Sequence, residues 1–185
     1  MQPMNARIRG RGAVSNPAGR FERLRRESEA DGREGGDEDL PPLRTEVSEE
    51  RAGRVLTRNT SPDLSFDRSV NPYRGCEHGC VYCFARPSHA FVGLSPGLDF
   101  ETKLTVKPGA PAALEREMRA KGYTPAPVAI GTNTDPYQPV ERDRGVMRAL
   151  LEVLSEFRHP VAVVTKGTLV TRDAGILGEM GRAGL

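Results

Sequence analysis

Cys76-Glu77-His78-Gly79-Cys80-Val81-Tyr82-Cys83 holds every cysteine of a 185-residue chain, at spacing C-x3-C-x2-C. Disulfides suit this stretch poorly, because three thiols leave one over and pairs this close in sequence would close tiny, strained loops. A c-type haem attachment needs a histidine directly after a C-x-x-C pair, whereas Phe84 follows Cys83. A closed zinc site takes four ligands, usually as two separated pairs, so His78 or His89 would have to complete it. Thiolates also suit iron–sulfur clusters, where full protein ligation of a [4Fe–4S] centre uses four of them. Three cysteines would leave one iron without a protein ligand, open to a cofactor or substrate. Gly75 and Gly79 give the backbone the freedom to curl so that three sulfurs converge.

The surrounding composition bounds the setting. The length suggests one domain or part of one. Apolar residues make up 37%, tryptophan is absent, and no apolar run approaches a membrane span. Met1 to Gly12 has charge but no apolar stretch of the secretory type, so reduced, metal-bound cysteines point to a cytoplasmic protein with no membrane association. The formal charge of +2 hides an asymmetry. Residues 1–26 carry seven arginines against Glu22 alone, and residues 27–50 carry ten acids against Arg33 and Arg44. Residues 1–50 are too poor in apolar side chains to offset ordering entropy, which predicts a disordered, charged arm preceding a core over 51–185. Its arginines are suited to nucleic-acid phosphates or to the acids beside them.

Outward from the cysteine loop, Asn59-Thr60-Ser61-Pro62-Asp63 reads as a turn, and Ser69 to Arg74 as a short strand leading into Cys76. Ala85 to Leu94 is expected to be a short helix with Pro87 in its first turn, ended by Ser95-Pro96-Gly97. Thr102 to Lys107 alternates polar and apolar residues as a strand does. Pro111 to Lys121 reads as a helix stopped by Gly122, with Leu114 and Met118 on one side. Pro127 to Ile130 and Val161 to Val164 read as buried strands, and Asp143 to Phe157 as an amphipathic helix. A last helix is expected from near Asp173, carrying Ile176, Leu177 and Met180. Strands alternating with helices predict βαβ units around a parallel sheet, whose functional groups gather at the carboxyl ends of the strands.

The cysteine triplet, with aromatic Tyr82 just before its last member, resembles the radical S-adenosylmethionine superfamily. Asn71-Pro72-Tyr73-Arg74-Gly75-Cys76, Ala85-Arg86-Pro87-Ser88-His89, Gly131 to Glu141, Val164-Thr165-Lys166 and Arg172-Asp173 are similar to the uncharacterised bacterial branch related to spore photoproduct lyase, and Gly10-Arg11-Gly12-Ala13 to Phe21 shows a weaker likeness to the same group. The resemblance implies a partial (βα)6, TIM-like barrel with a [4Fe–4S] cluster held by Cys76, Cys80 and Cys83. It implies that S-adenosylmethionine chelates the remaining iron and is cleaved reductively to methionine and a 5′-deoxyadenosyl radical. The cofactors supply the reactivity and the protein supplies orientation and exclusion of water. A reducing donor such as flavodoxin or ferredoxin is implied as a partner, and the lyase likeness suggests a nucleic-acid-related substrate.

At matching positions the resemblance puts Tyr82 near the adenine or as a brace of the loop. It puts Thr132, Asn133 and Thr134 at the methionyl amino group, where they are otherwise turn formers, and Lys166 at the methionyl carboxylate. Asp135 and Glu141 are expected to cap a loop and the following helix rather than to bind substrate. His78 and His89 are expected to act as hydrogen-bonding scaffold, and His159, before Pro160, as a surface turn residue. Two departures stand out. The pattern stops after about three βα units, as in the amino-terminal part of a longer barrel. Gly131 to Tyr137 also lacks the cysteine that the lyase uses as hydrogen donor. The competing expectation from another class is a non-catalytic zinc-binding adaptor or nucleic-acid-binding module.

Overall fold

A computed structural model describes residues 10–22 and 43–185 of the chain, and its secondary structure is mixed α/β. The strands are β1 (Glu46–Glu49), β2 (Thr57–Arg58), β3 (Arg68–Val70), β4 (Tyr73–Arg74), β5 (Lys103–Val106), β6 (Val128–Ile130) and β7 (Val161–Val163). The α-helices are α1 (Leu98–Thr102), α2 (Ala110–Met118), α3 (Glu141–Arg144), α4 (Val146–Glu156) and α5 (Ala174–Arg182). Two units result. One takes the described residues up to Ser48 with Gly75–Leu104, and the other takes Glu49–Arg74 with Thr105–Leu185.

The second unit is built on a four-stranded sheet in the order β2-β3-β6-β7. Val128, Ala129 and Ile130 are all buried in β6, as an apolar run between Pro127 and Gly131 predicts for a central strand. β6 pairs in parallel with β3 (Arg68↔Val128, Val70↔Ile130) and with β7 (Val128↔Val161, Ile130↔Val163), while β2 joins β3 antiparallel. Asn59 makes the β2–β3 connection: its side-chain oxygen accepts the Ser61 N–H at 2.9 Å, the Asx turn that the sequence leads one to expect. Helices α2 and α4 pack against each other, and Ala113 and Leu114 of α2 and Met147, Leu150, Leu151 and Leu154 of α4 are fully buried. Each fully buried leucine there is worth about 1.5–3 kcal/mol of transfer from water. The other sheet runs β1-β5-β4, with Tyr73↔Val106 and Arg74↔Thr105 antiparallel. The first unit packs Phe100 against Cys76, Ala85 and the partly buried Cys83.

Several expectations change. The lead-in over residues 69–74 is two strands, β3 and β4, interrupted at Asn71-Pro72 because proline has no N–H to give a ladder. Residues Arg86–Val92 form a 3-10 helix with Pro87 near its start, closed by left-handed Gly93. The helix expected over 143–157 is α3 and α4, broken at Gly145, whose φ of 64° no right-handed helix accepts. β7 is not buried: it ends the sheet, Ala162 is exposed, and Val164 beyond it is 63% exposed. His159 is buried rather than at the surface, where Tyr123 Oη lies 2.7 Å from its Nε2 and the Pro160 carbonyl 3.0 Å from its Nδ1.

Of the arm expected over 1–50, residues 1–9 and 23–42 lie outside the described residues. Glu46–Glu49 is β1, and Gly10–Ala13 packs within the first unit, where Ala13 is buried. No helix among the described residues is long and apolar enough to cross a membrane.

Candidate functional site

All three cysteines belong to the first unit and none is in a disulfide, with Cys76 buried and Cys80 and Cys83 half-buried. Two left-handed glycines shape their loop, Gly75 at φ 73° and Gly79 at φ 61°. At Gly75 a side chain is also excluded by space, since a Cβ would fall 2.9 Å from the Phe100 carbonyl oxygen. The Cys76 N–H donates to that same carbonyl at 2.8 Å, and the Cys83 N–H donates to the Cys80 carbonyl at 3.2 Å, closing a turn across the C-x2-C pair. Among the described residues no three His, Cys, Asp or Glu side chains are gathered as a group able to hold a metal ion. The donor set itself suits an iron–sulfur cluster: three thiols on one short loop whose glycines give its backbone unusual freedom.

Around the loop the side chains divide into scaffold and surface. His89 is buried, its Nε2 3.0 Å from the Lys103 carbonyl and its ring edge-on to Phe100 at 5.4 Å, which is a scaffold arrangement. Tyr82 is 79% exposed, so its ring does not brace the loop. Val81 and Phe84 are exposed beside it in sequence, an apolar display unusual for a solvated turn. Sequence reasoning missed Glu101 and gave Arg86 no role of its own. Glu101 is fully buried and pairs with Arg86, which donates to the Cys80 carbonyl through Nε at 3.2 Å and Nη2 at 3.1 Å. Two arginines of the basic stretch are among the described residues, and both are engaged within the chain. Arg11 pairs with Glu77, and Arg20 lies over the rings of Phe21 and Phe91 at 4.7 and 5.1 Å.

In the second unit the segments at the carboxyl ends of β3, β6 and β7 are tied to one another. The Asn133 N–H donates to Asn71 Oδ1 at 3.1 Å. The Thr134 hydroxyl, buried, donates to the Tyr73 carbonyl at 3.0 Å, so it serves the scaffold. Thr132 is half-buried beside them. Asp135 joins the ends of β6 and β7: its Oδ1 accepts from the Thr165 hydroxyl at 2.6 Å and the Tyr137 N–H at 2.8 Å, and its Oδ2 accepts from the Lys166 N–H at 2.8 Å. Lys166 is exposed at the end of the half-exposed β7. Asp135 is therefore the loop cap that its sequence position suggests.

Glu141 is a helix cap in the same way. It is fully buried and accepts the Met147 N–H at 2.9 Å and the Arg148 N–H at 3.2 Å, at the start of α4. Tyr73 Oη donates to the same carboxylate, and Arg172 Nη2 pairs with it at 2.7 Å. Arg172 in turn bonds Asp173, which Arg148 also contacts at 3.2 Å. Burial, and then the Glu141 charge, push the Tyr73 phenol far up, so it stays protonated and a donor. Burial would raise the Asp173 carboxyl, but its bonds from Arg172 and Arg148 outweigh that and hold it below the usual range. The sequence signal for this network was slight: Arg172-Asp173 and Glu141 are 31 residues apart.

No family model and no solved structure matches the chain. It is similar to uncharacterized proteins of Mycobacterium bovis and Mycobacterium tuberculosis (Rv2578c), each 43% identical over 116 residues, which is 63% of this chain and 34% of the relative. An uncharacterized protein of Methanocaldococcus jannaschii, MJ0683, is 27% identical over 105 residues, 56% of this chain and 37% of that protein. The chain thus spans about a third of the length of the curated relatives it matches.

Proposed function

We propose that this chain is the amino-terminal part of a cytoplasmic radical S-adenosylmethionine enzyme. The observation that carries the reading is Cys76, Cys80 and Cys83, outside any disulfide, on one loop shaped by left-handed Gly75 and Gly79. In this reading the three thiolates hold a [4Fe–4S] cluster and leave one iron for S-adenosylmethionine. The bound pair supplies one-electron cleavage of the sulfonium to methionine and a 5′-deoxyadenosyl radical, with electrons from a flavodoxin- or ferredoxin-type donor.

The residues of this chain do the holding and orienting. Arg86 fixes the Cys80 carbonyl, and Tyr82 offers an exposed ring to an adenine. In the second unit Thr134 and Asp135 position the segments that carry Thr132, Asn133 and Lys166, the residues that the resemblance assigns to the methionyl end. The parallel order β3-β6-β7, with α2 before β6 and α4 before β7, is read as the opening units of a partial (βα)6 barrel.

Anaerobic reconstitution with ferrous iron and sulfide tests this. The expected result is about four iron atoms per chain with visible charge-transfer absorption. Changing Cys76, Cys80 and Cys83 together to alanine should abolish both. Iron and absorption that survive the triple change would end the proposal, and stoichiometric zinc without iron in anaerobically purified protein would favour the adaptor.

A further inference from the structure

Both carboxylate oxygens of Glu101, fully buried in α1, are engaged as acceptors within the first unit. Oε1 accepts from Arg86 Nη2 and from the Gly12 N–H at 3.2 Å, and Oε2 accepts from the Arg11 N–H at 2.6 Å and the Gly12 N–H at 3.1 Å. The Arg11 guanidinium also donates to the Glu101 carbonyl, and its other arm reaches Thr45 Oγ1 at 2.8 Å and Glu77 Oε1 at 3.4 Å. The Thr45 hydroxyl donates to the same Glu77 oxygen at 2.8 Å. Arg11 is thereby fixed both to α1 and to the cysteine loop itself, since Glu77 follows Cys76 directly.

The backbone contact is closer still. A Cβ on Gly12 would fall 1.8 Å from the Gly79 carbonyl oxygen, and one on Gly79 would fall 2.5 Å from Arg11 Cβ. On the other flank, Arg86 links Glu101 to the Cys80 carbonyl. The peptide planes either side of Cys80 are therefore held between a segment 90 residues upstream of Glu101 and the arginine that Glu101 anchors. Gly79 has a backbone conformation that many others could replace, so without such a clamp Cys80 would sample many orientations.

We infer that Arg11-Gly12 is a strap that positions Cys80, latched by the Glu101 carboxylate, so that this part of the amino-terminal stretch belongs to the cysteine site. The inference rests on the reading of the three cysteines as metal ligands. Only a carboxylate serves as latch. A glutamine would turn an NH2 group toward N–H donors on one of its two sides, and any side chain at position 12 would displace the Gly79 carbonyl.

The test uses the full chain, prepared anaerobically as Glu101→Gln, Arg11→Ala and Gly12→Val, with two readouts. One is the iodoacetamide alkylation rate of each cysteine in metal-free protein, followed by peptide mass spectrometry. The other is the rate at which a chelator strips iron from reconstituted protein. The strap predicts Cys80 alkylation about tenfold faster than in the parent, with Cys76 changed much less and far-UV circular dichroism retained. It predicts iron loss faster by a similar factor. If Gly12→Val does not fold, the two milder variants decide. Parental Cys80 rates in the folded variants overturn the inference, as does an equal rise at all three cysteines, which marks general opening of the unit. Should the parent take up no iron while the variants still expose Cys80, the strap stands and the iron–sulfur reading falls. Iron uptake by the parent, with strap variants alkylated and stripped at parental rates, gives the reverse.

Discussion

His159 shows what burial does to a single titrating group. Its ring is enclosed in the second unit with Tyr123 and Pro160 as partners. Burial lowers its pKa below the ordinary 6.5, the Pro160 carbonyl opposes this, and the Arg68 charge adds to the lowering. The folded chain therefore keeps His159 neutral at a pH where the unfolded chain has begun to take up a proton. The sign follows: the contribution is complete above about pH 6.5 and is lost as pH falls below it toward the folded-state pKa. Urea midpoints measured at pH 7.5 and 5.5 should drop at the lower pH, and His159→Gln should shrink that drop. A drop of equal size in the variant would assign the pH dependence elsewhere. The sequence put His159 on a surface because a residue before proline reads as a turn, and nothing local announces the Tyr123 hydroxyl that accommodates the ring.

At the scale of elements, glycines set where helices and turns end, and the structure separates two costs of replacing them. Gly145, at φ 64°, breaks the α3–α4 run with open space where a Cβ would go. Gly145→Ala should therefore cost only the left-handed conformation, about 1–2 kcal/mol. Gly131, at φ 95° after β6, has the Val164 carbonyl oxygen 2.0 Å from where a Cβ would stand. Gly131→Ala should cost clearly more, because the turn after β6 and the end of β7 have to separate. Urea denaturation of the two variants checks the order, and equal losses would show that the strand end gives way easily. The broad apolar face of α4 was legible from its 3.6-residue period, and Leu114 and Met118 of α2 are buried as their spacing suggested. The break at Gly145 was not, since an isolated glycine in a helical pattern is also tolerated.

At the scale of the whole chain, β7 ends the described sheet with Ala162 exposed and Val164 63% exposed, on a chain that spans about a third of its relatives' length. Such an edge offers unpaired backbone groups to another copy. Val164→Lys should reduce concentration-dependent association seen by sedimentation while changing stability by no more than about 0.5 kcal/mol, as surface changes do. Unchanged association would mean that this edge does not carry it. The sequence by itself determined the cysteine loop, the order of the stronger strands and helices, and the caps at Asp135 and Glu141, because each follows from residue types a few positions apart. Only the tertiary structure decided that β7 is an edge, that His159 and Glu101 are buried, and that Arg11-Gly12 lies on the cysteine loop. The reason is physical: whether a charge or a strand can leave water depends on partners supplied from elsewhere in the chain, and in the case of Glu101 these include Arg11 and Gly12, 90 and 89 residues away.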